Sequence, residues 1–221
     1  MNFENQFQKE KLAICEVGKR LYAKGFSSAN DGNITMRVGD GQFLCTPTMQ
    51  SKGYLQPSDI VLIDSDGKLV AGTKQRSSEA LLHLEAYRHR TDIHAVVHCH
   101  PPHATAYAIT NQSLPRWVLA EVEIFLGNIP IAPYNAPGTK EFAETIIPFV
   151  TDSNAIILAH HGTLTLGKDL EQAFWWTEVL DSYCRILILA SQIGPLQQLT
   201  PAQQSELTSL RTQWGFNTPG N

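Results

Sequence analysis

Histidines at two places in the chain have the type and spacing of metal ligands. His98 and His100 end an apolar, β-branched segment that predicts a strand, and side chains two residues apart on a strand project to the same face. His161 follows a second apolar segment and precedes Gly162, so it could join the pair if both strands end at the same edge of a sheet. Three protein ligands with an open position are typical of catalytic zinc, although imidazole also suits iron, cobalt and nickel.

Histidines at this spacing also occur in cores and on surfaces without a metal, and the pair alone leaves both interpretations open. His160 should face away from its neighbour His161, and we do not include it. The remaining histidines lack a comparable setting and are interpreted as solvated or hydrogen-bonded side chains: His83, His89, His94 and His103.

Glu79 is the candidate acid/base group, because it stands in Ser77-Ser78-Glu79 at the predicted start of a helix. An acid at that position could equally serve only to stabilise the helix dipole. The hydroxyl and backbone N–H groups of the two serines are suited to bind a phosphate. The segments Asn30–Asn33 and Thr46–Thr48 could supply further donors to that anion, or could be simple turns.

The elements that would position these residues alternate without a strict strand–helix–strand repeat, which favours a three-layer α/β/α fold with a mostly antiparallel sheet. The first helix is predicted from apolar residues at helical spacing before Gly25, and a hairpin from alternation on both sides of Gly39-Asp40-Gly41. Further strands are predicted at 60–63, 95–100, 129–132, 155–159 and 163–166, and further helices at 77–89, 101–109, 138–150, 170–191 and from 201 onward.

Composition restricts the classes of function. The chain has 221 residues, of which 43% are hydrophobic, enough for one well-filled domain. Its net charge is −4 without a basic patch, which argues against nucleic acid or an anionic membrane as a partner. No segment approaches the ~20 apolar residues of a membrane span. The four cysteines fit neither a zinc ribbon nor a disulfide scaffold, and the N-terminus lacks the apolar core of a signal peptide, so a cytoplasmic location is expected.

Five short motifs together resemble one family. They are Asn30-Asp31-Gly32-Asn33-Ile34-Thr35, Thr46-Pro47-Thr48, Ser77-Ser78-Glu79, His98-Cys99-His100-Pro101 and His161-Gly162, in this order. The series, from about residue 10 to residue 193, resembles the class II aldolase/adducin family, which includes L-fuculose-phosphate aldolase and L-ribulose-5-phosphate 4-epimerase.

The resemblance implies an α/β/α fold, a homotetramer and a zinc ion between subunits. By position, the zinc ligands would be His98, His100 and His161. Glu79 would be the acid/base residue and an additional ligand when substrate is absent. The residues in positions that hold the substrate phosphate would be Gly32, Asn33, Thr48, Ser77 and Ser78.

The activity that this resemblance implies is retro-aldol cleavage of a ketose 1-phosphate, similar to L-fuculose 1-phosphate, into dihydroxyacetone phosphate and an aldehyde. The epimerases carry aspartate at the position of Glu79, which favours the aldolase. An epimerase, a related decarboxylase or dehydratase, and a non-enzymatic adducin-like interaction domain are the alternatives. Such an interaction domain would have no reason to keep the three histidines and the acid.

Residues 1–194 would form the catalytic domain, and residues 195–221 a C-terminal tail that covers an active site, in a neighbouring subunit. An ordinary surface helix is the other interpretation of this tail. Some positions differ from the aldolases. Met49 replaces the glycine after Thr-Pro-Thr, Leu119 replaces a tyrosine, and the tail offers Trp214 and Phe216 in place of a C-terminal tyrosine.

Overall fold

A mixed eight-stranded sheet forms the centre of the computed structural model, which describes residues 3–216. All neighbouring strands are antiparallel except the last pair at one edge, so the predicted, mostly antiparallel sheet is confirmed. In chain order the strands are β1 (Asn33–Gly39), β2 (Gln42–Cys45), β3 (Val61–Asp64), β4 (Leu69–Ala71), β5 (Ala95–Cys99), β6 (Ile131–Ala132), β7 (Ala155–Leu158) and β8 (Gly162–Gly167). In space they follow the order β4-β3-β2-β1-β5-β8-β7-β6.

Helices cover both faces of the sheet and complete the three layers. The side chains of β5 alternate between two cores: Val96 packs beneath α2, whereas Val97 and Cys99 pack beneath α1 and α7. The helices are α1 (Gln8–Ala23), α2 (Ala80–His89), α3 (Pro102–Thr110), α4 (Ala120–Phe125), α5 (Lys140–Glu144), α6 (Ile147–Val150), α7 (Leu170–Ser191) and α8 (Pro201–Gln213). In residues 3–216, no helix is long and apolar enough to cross a membrane.

Sheet topology brings the two histidine segments to one edge. Strand β8 lies between β5 and β7 and is antiparallel to both, so β5 and β7 run in the same direction. Their C-terminal ends therefore meet at the same edge of the sheet. His98 lies on β5, His100 directly follows it, and His161 lies in the turn after β7. Both histidine-bearing strands therefore end at the same edge of the sheet, as a shared three-histidine site requires.

Most predicted elements are present, and the differences have local causes. The predicted helix 138–150 is two short helices, since Pro148 has no N–H group to continue the hydrogen bonds of α5. The region 155–166 is a hairpin rather than an interrupted strand. The turn places His160 at φ 57°, and the N–H of His161 donates to the Leu158 carbonyl (3.0 Å). The helix cap predicted at Ser77 or Ser78 is also wrong: α2 begins after Glu79.

The C-terminal segment packs on its own chain. The Leu199 N–H donates to the Trp117 carbonyl (2.7 Å), and the buried Arg211 donates from Nη1 to the Glu123 and Ile124 carbonyls at 3.2 and 2.8 Å. Trp214, at the end of α8, is 53% exposed. Residues 217–221 of the tail lie outside the described residues. A role as active-site cover stays a prediction.

Candidate metal centre

Three imidazole rings converge at the edge of the sheet. Ring nitrogens of His98, His100 and His161, one from each, all lie within 4.8 Å of one another. Nε2 of His98 and Nε2 of His100 are only 3.1 Å apart, and the His98 and His161 rings are stacked at 4.8 Å. Cys99 points into the opposite core, as the strand alternation predicted. The structure thus brings together all three histidines that the sequence indicated.

Polar groups behind two of the rings favour Nε2 as the nitrogen that faces the common point. Nδ1 of His98 donates to the Thr163 carbonyl at 2.8 Å, so Nε2 carries the lone pair. Nδ1 of His100 lies 3.5 Å from Oδ2 of Asp31, which favours the same tautomer. Metal-binding histidines commonly donate their second nitrogen to a carbonyl or carboxylate in this way.

The donor set fits a divalent cation. Burial lowers the pKa of His98 to about 3 against the opposing effect of Glu79, and burial also lowers the pKa of His100. Both rings are therefore neutral at pH 7, the form that binds metals. Nε2 of His161 is buried and, although 2.8 Å from Oε1 of Glu79, has no partner in hydrogen-bonding geometry. Three converging ring nitrogens beside a carboxylate form a donor set that a divalent cation stabilises.

Glu79 lies against the histidines at the start of α2. Its Oε2 accepts a hydrogen bond from Nδ2 of Asn33 at 2.7 Å and lies 3.3 Å from Nε2 of His98. Burial raises the pKa of the Glu79 carboxyl, but His98, His161 and the Asn33 amide outweigh burial and hold that pKa well below its usual range. The side chain is a carboxylate at neutral pH, beside the point where the rings converge.

Close backbone approaches require glycine at two positions around the rings. A Cβ on Gly162 would lie 2.5 Å from Cδ2 of His100 and 2.6 Å from the Cys99 carbonyl oxygen. A Cβ on Gly32 would lie 2.7 Å from the His98 carbonyl oxygen, and Gly32 has φ 73°. Both glycines therefore let neighbouring backbone pack directly against the end of β5, which carries His98.

The five predicted phosphate residues occupy different places. Thr48 and Ser78 line a cavity of about 460 Å³, whereas Ser77 is buried, and its Oγ accepts from the Glu79 N–H at 3.3 Å. The Asn33 amide is used by Glu79, and Gly32 shapes the loop before β1. Only two of the five thus face one cavity, and phosphate binding by any of them stays a prediction.

A larger cleft of about 820 Å³ lies between α3, α4 and α7. Two ion pairs line it: Lys24 with Glu178 at 2.8 Å, and His103 with Asp181, with 2.9 Å between Nδ1 and Oδ2. Oδ1 of Asp181 also accepts from the backbone N–H groups of His103 and Ala104, so it caps the first turn of α3. We interpret this pair as structural.

Sequence reasoning did not single out the residues that orient the rings. Asp31 stood within a polar motif, but nothing in the sequence placed it beside His100. Thr163 acts through its backbone carbonyl, which any residue would supply, so its identity carries no signal. Arg76, which also lines the 460 Å³ cavity, precedes the two serines and had no assigned role.

Known proteins resemble this chain over most of its length. Residues 12–188 match the family model "Class II Aldolase and Adducin N-terminal domain". A 3-oxo-tetronate 4-phosphate decarboxylase of Escherichia coli K12 is 28% identical, covering 94% of this chain and 99% of its own. A 5-deoxy-D-ribulose 1-phosphate aldolase of Bacillus thuringiensis serovar kurstaki is 31% identical, covering 90% of this chain and 93% of its own. The solved structure of an L-fuculose 1-phosphate aldolase superposes with a TM-score of 0.84 at 28% identity. The superposition covers 90% of this chain and 94% of the aldolase chain.

Proposed function

The chain belongs to the class II aldolase and adducin family, and from that membership we propose that it is a metal-dependent lyase acting on a sugar phosphate. The reaction that fits best is retro-aldol cleavage of a ketose 1-phosphate to dihydroxyacetone phosphate and an aldehyde. The observation that carries the proposal is the convergence of three histidines and Glu79 on one point. An interaction domain would not require that arrangement.

The proposed metal is zinc, held by His98, His100 and His161. A divalent ion bound there would act as a Lewis acid on the substrate's carbonyl and neighbouring hydroxyl oxygens. The protein's own part is to present neutral imidazoles, which it does by burying His98 and by binding its Nδ1–H at the Thr163 carbonyl. Asp31 restrains the ring of His100 in the same way.

Glu79 is the group proposed to move the proton. In the cleavage direction the hydroxyl beside the scissile bond gives its proton to the carboxylate, the carbon–carbon bond breaks, and the aldehyde forms. The electron pair stays on the three-carbon fragment as an enediolate, and Glu79 then returns the proton to carbon. A carboxylate that is unprotonated at rest can begin this cycle, and proton transfer by a positioned side chain contributes about 10²–10⁴-fold.

Decarboxylation is the second candidate, favoured by the likeness to the decarboxylase across nearly the whole of both chains. In a 3-oxo-tetronate 4-phosphate the carboxylate is attached to the hydroxyl-bearing carbon next to the ketone. Loss of carbon dioxide leaves the same enediolate of dihydroxyacetone phosphate, and Glu79 would again protonate it. The two reactions differ in the leaving group, and share the metal and the acid.

A product screen with the metal-loaded protein separates the candidates. The substrates are L-fuculose 1-phosphate, 5-deoxy-D-ribulose 1-phosphate and 3-oxo-tetronate 4-phosphate, with chelator-treated protein as control. Dihydroxyacetone phosphate with an aldehyde indicates the aldolase, and dihydroxyacetone phosphate with carbon dioxide the decarboxylase. An epimer without dihydroxyacetone phosphate, tested with L-ribulose 5-phosphate, would indicate the epimerase. Absence of all three products would refute the proposal.

A cytoplasmic homotetramer is part of the same proposal, on the basis of the resemblance. Sedimentation equilibrium of the full chain tests the assembly. A mass four times the 24.5 kDa of one chain is expected, and a monomer would contradict it.

A further inference from the structure

Arg76 is a cation in the wall of a cavity that is also lined by Ser78, the residue before Glu79. The cavity of about 460 Å³ is lined by Arg76 together with Thr48, Gly67, Leu69, Gln75 and Ser78. Ser78 directly precedes Glu79, whose carboxylate faces the imidazoles, so one wall of the cavity continues along the chain into the metal centre. A molecule that reached from this cavity to the metal centre would pass along the start of α2.

Backbone pairing holds the two walls of the cavity together. The N–H of Thr48 donates to the Gln75 carbonyl at 3.1 Å, and the N–H of Ser77 donates to the Thr46 carbonyl at 3.1 Å. The hydroxyls of Thr48 and Ser78 are thus carried by segments that are fixed relative to each other. Arg76 lies on one of these paired segments, opposite Pro47.

The guanidinium of Arg76 is anchored but not neutralised. Nε donates to the Gly67 carbonyl at 2.7 Å, and Nη1 donates to the Ser77 carbonyl at 2.7 Å. Among residues 3–216, none accepts a hydrogen bond from Nη2, and no carboxylate forms an ion pair with Arg76. A fixed positive charge with an unused amino group therefore remains at the cavity.

We propose that Arg76 binds the phosphate group of the substrate through Nη2, with the hydroxyls of Thr48 and Ser78 as further donors. The inference rests on the proposed function and deepens it, because it assigns the phosphate specificity to a particular cation. Guanidinium groups suit phosphate oxygens in charge and in planar geometry, and the two anchoring carbonyls remove side-chain freedom before the ligand arrives. The sequence motifs had assigned only neutral donors to this anion.

Arg76 could instead be purely structural, since it joins the Asp64–Gly67 turn to the start of α2. Arg88 is a matched control for this alternative. It donates from Nη2 to the Ser65 carbonyl of the same turn at 3.0 Å, but it lies outside the cavity lining and is paired with Glu85. If Arg76 acted only through the net charge of the protein, or only by stabilising the turn, substitution of either arginine would weaken phosphate binding equally.

The test is calorimetric titration of the metal-loaded full chain with inorganic phosphate. Wild type, Arg76→Gln, Arg76→Lys and Arg88→Gln are compared at constant ionic strength. Loss of a hydrogen bond to a charged group predicts about tenfold or more weaker binding for Arg76→Gln. An intermediate loss is expected for Arg76→Lys, and no change for Arg88→Gln. Equal binding by wild type and Arg76→Gln, equal loss in both glutamine variants, or no binding by wild type would overturn the assignment.

A second measurement needs no variant. Wild-type protein is treated with phenylglyoxal, which modifies exposed arginines, with and without inorganic phosphate, and the modified peptides are quantified by mass spectrometry. Phosphate should protect Arg76 several-fold and leave Arg88 unchanged, whereas an unprotected Arg76 would refute the proposal. Phosphate binding that depends on Arg76, without turnover of any sugar phosphate, would remove the proposed function alone. Turnover with phosphate binding independent of Arg76 would remove this inference alone.

Discussion

Nδ2 of Asn33 donates to Oε2 of Glu79 at 2.7 Å, and this bond joins the first residue of β1 to the residue that precedes α2. Sequence motifs assigned Asn33 to the substrate phosphate, but in the structure its amide restrains the candidate acid/base. We therefore predict that Asn33→Ala lowers kcat about tenfold with little change in KM, because the carboxylate loses its orientation. Steady-state kinetics on an accepted substrate decide the matter. A higher KM at unchanged kcat would support the phosphate role instead.

Loss of a single imidazole should empty the metal centre. We expect His100→Ala and His161→Ala to contain less than a tenth of the wild-type metal, because two remaining nitrogens do not complete a three-ligand site. Elemental analysis of purified proteins measures this. His89→Ala is the control, since His89 is exposed on α2, pairs with Glu85 and should leave the metal content unchanged. Full metal occupancy in both active-site variants would refute the assignment.

His83 should make the protein less stable in acid. Burial lowers the pKa of His83 from its ordinary value of 6.5 to about 3, with Glu79 opposing, so the folded chain keeps the ring neutral while the unfolded chain protonates it. The folded state loses stability as the pH falls below about 6.5. Between pH 7 and pH 5 the loss from this residue is about 2 kcal/mol. His83→Gln should therefore lose about 2 kcal/mol less than wild type over this interval in urea unfolding. An identical pH dependence would contradict the burial effect.

Substitution of Trp214 distinguishes a tail that covers an active site from an ordinary surface helix. It is 53% exposed on its own chain, whereas Phe216 packs against Phe125 and Trp176, so Trp214 is the tail aromatic left to face another subunit. We expect Trp214→Ala to lower kcat about tenfold and to change the free energy of unfolding by less than about 1 kcal/mol. Trp175→Ala, 50% exposed on α7, is the control. Unchanged kcat would show that Trp214 does not contribute to an active site.

The fold and the convergence of the three histidines were predictable because periodic signals determine them. Alternation placed His98 and His100 on one face with Cys99 on the other, and the side chains of Asp169 and Thr200 cap the predicted helices α7 and α8. Elements held mainly by tertiary contacts were missed. The three-residue β4 and the six-residue α4 are too short to show a period.

Other features of the site depend on contacts between distant segments. Thr163 orients His98 through a backbone carbonyl, and Arg76 reaches the Gly67 turn nine residues away. Met49 illustrates a different limit. It has φ 54°, in the left-handed region that favours glycine, so the backbone is glycine-like although methionine replaces the glycine of the aldolases. The residue type alone does not reveal that a methionine adopts a left-handed backbone conformation.

Exchange of deuterium from solvent into dihydroxyacetone phosphate tests the central claim most directly. The aldolase and the decarboxylase both form the enediolate of this compound, so the test applies to either reaction. It also requires no knowledge of the complete substrate. In D₂O, metal-loaded wild type should replace one hydrogen on the hydroxymethyl carbon of dihydroxyacetone phosphate with deuterium. Proton NMR follows the loss of that signal. Chelation should abolish exchange, and Glu79→Gln should retain its metal while exchanging about 10²–10⁴-fold more slowly. Absence of exchange in metal-loaded wild type, or exchange that survives both chelation and Glu79→Gln, would contradict the account.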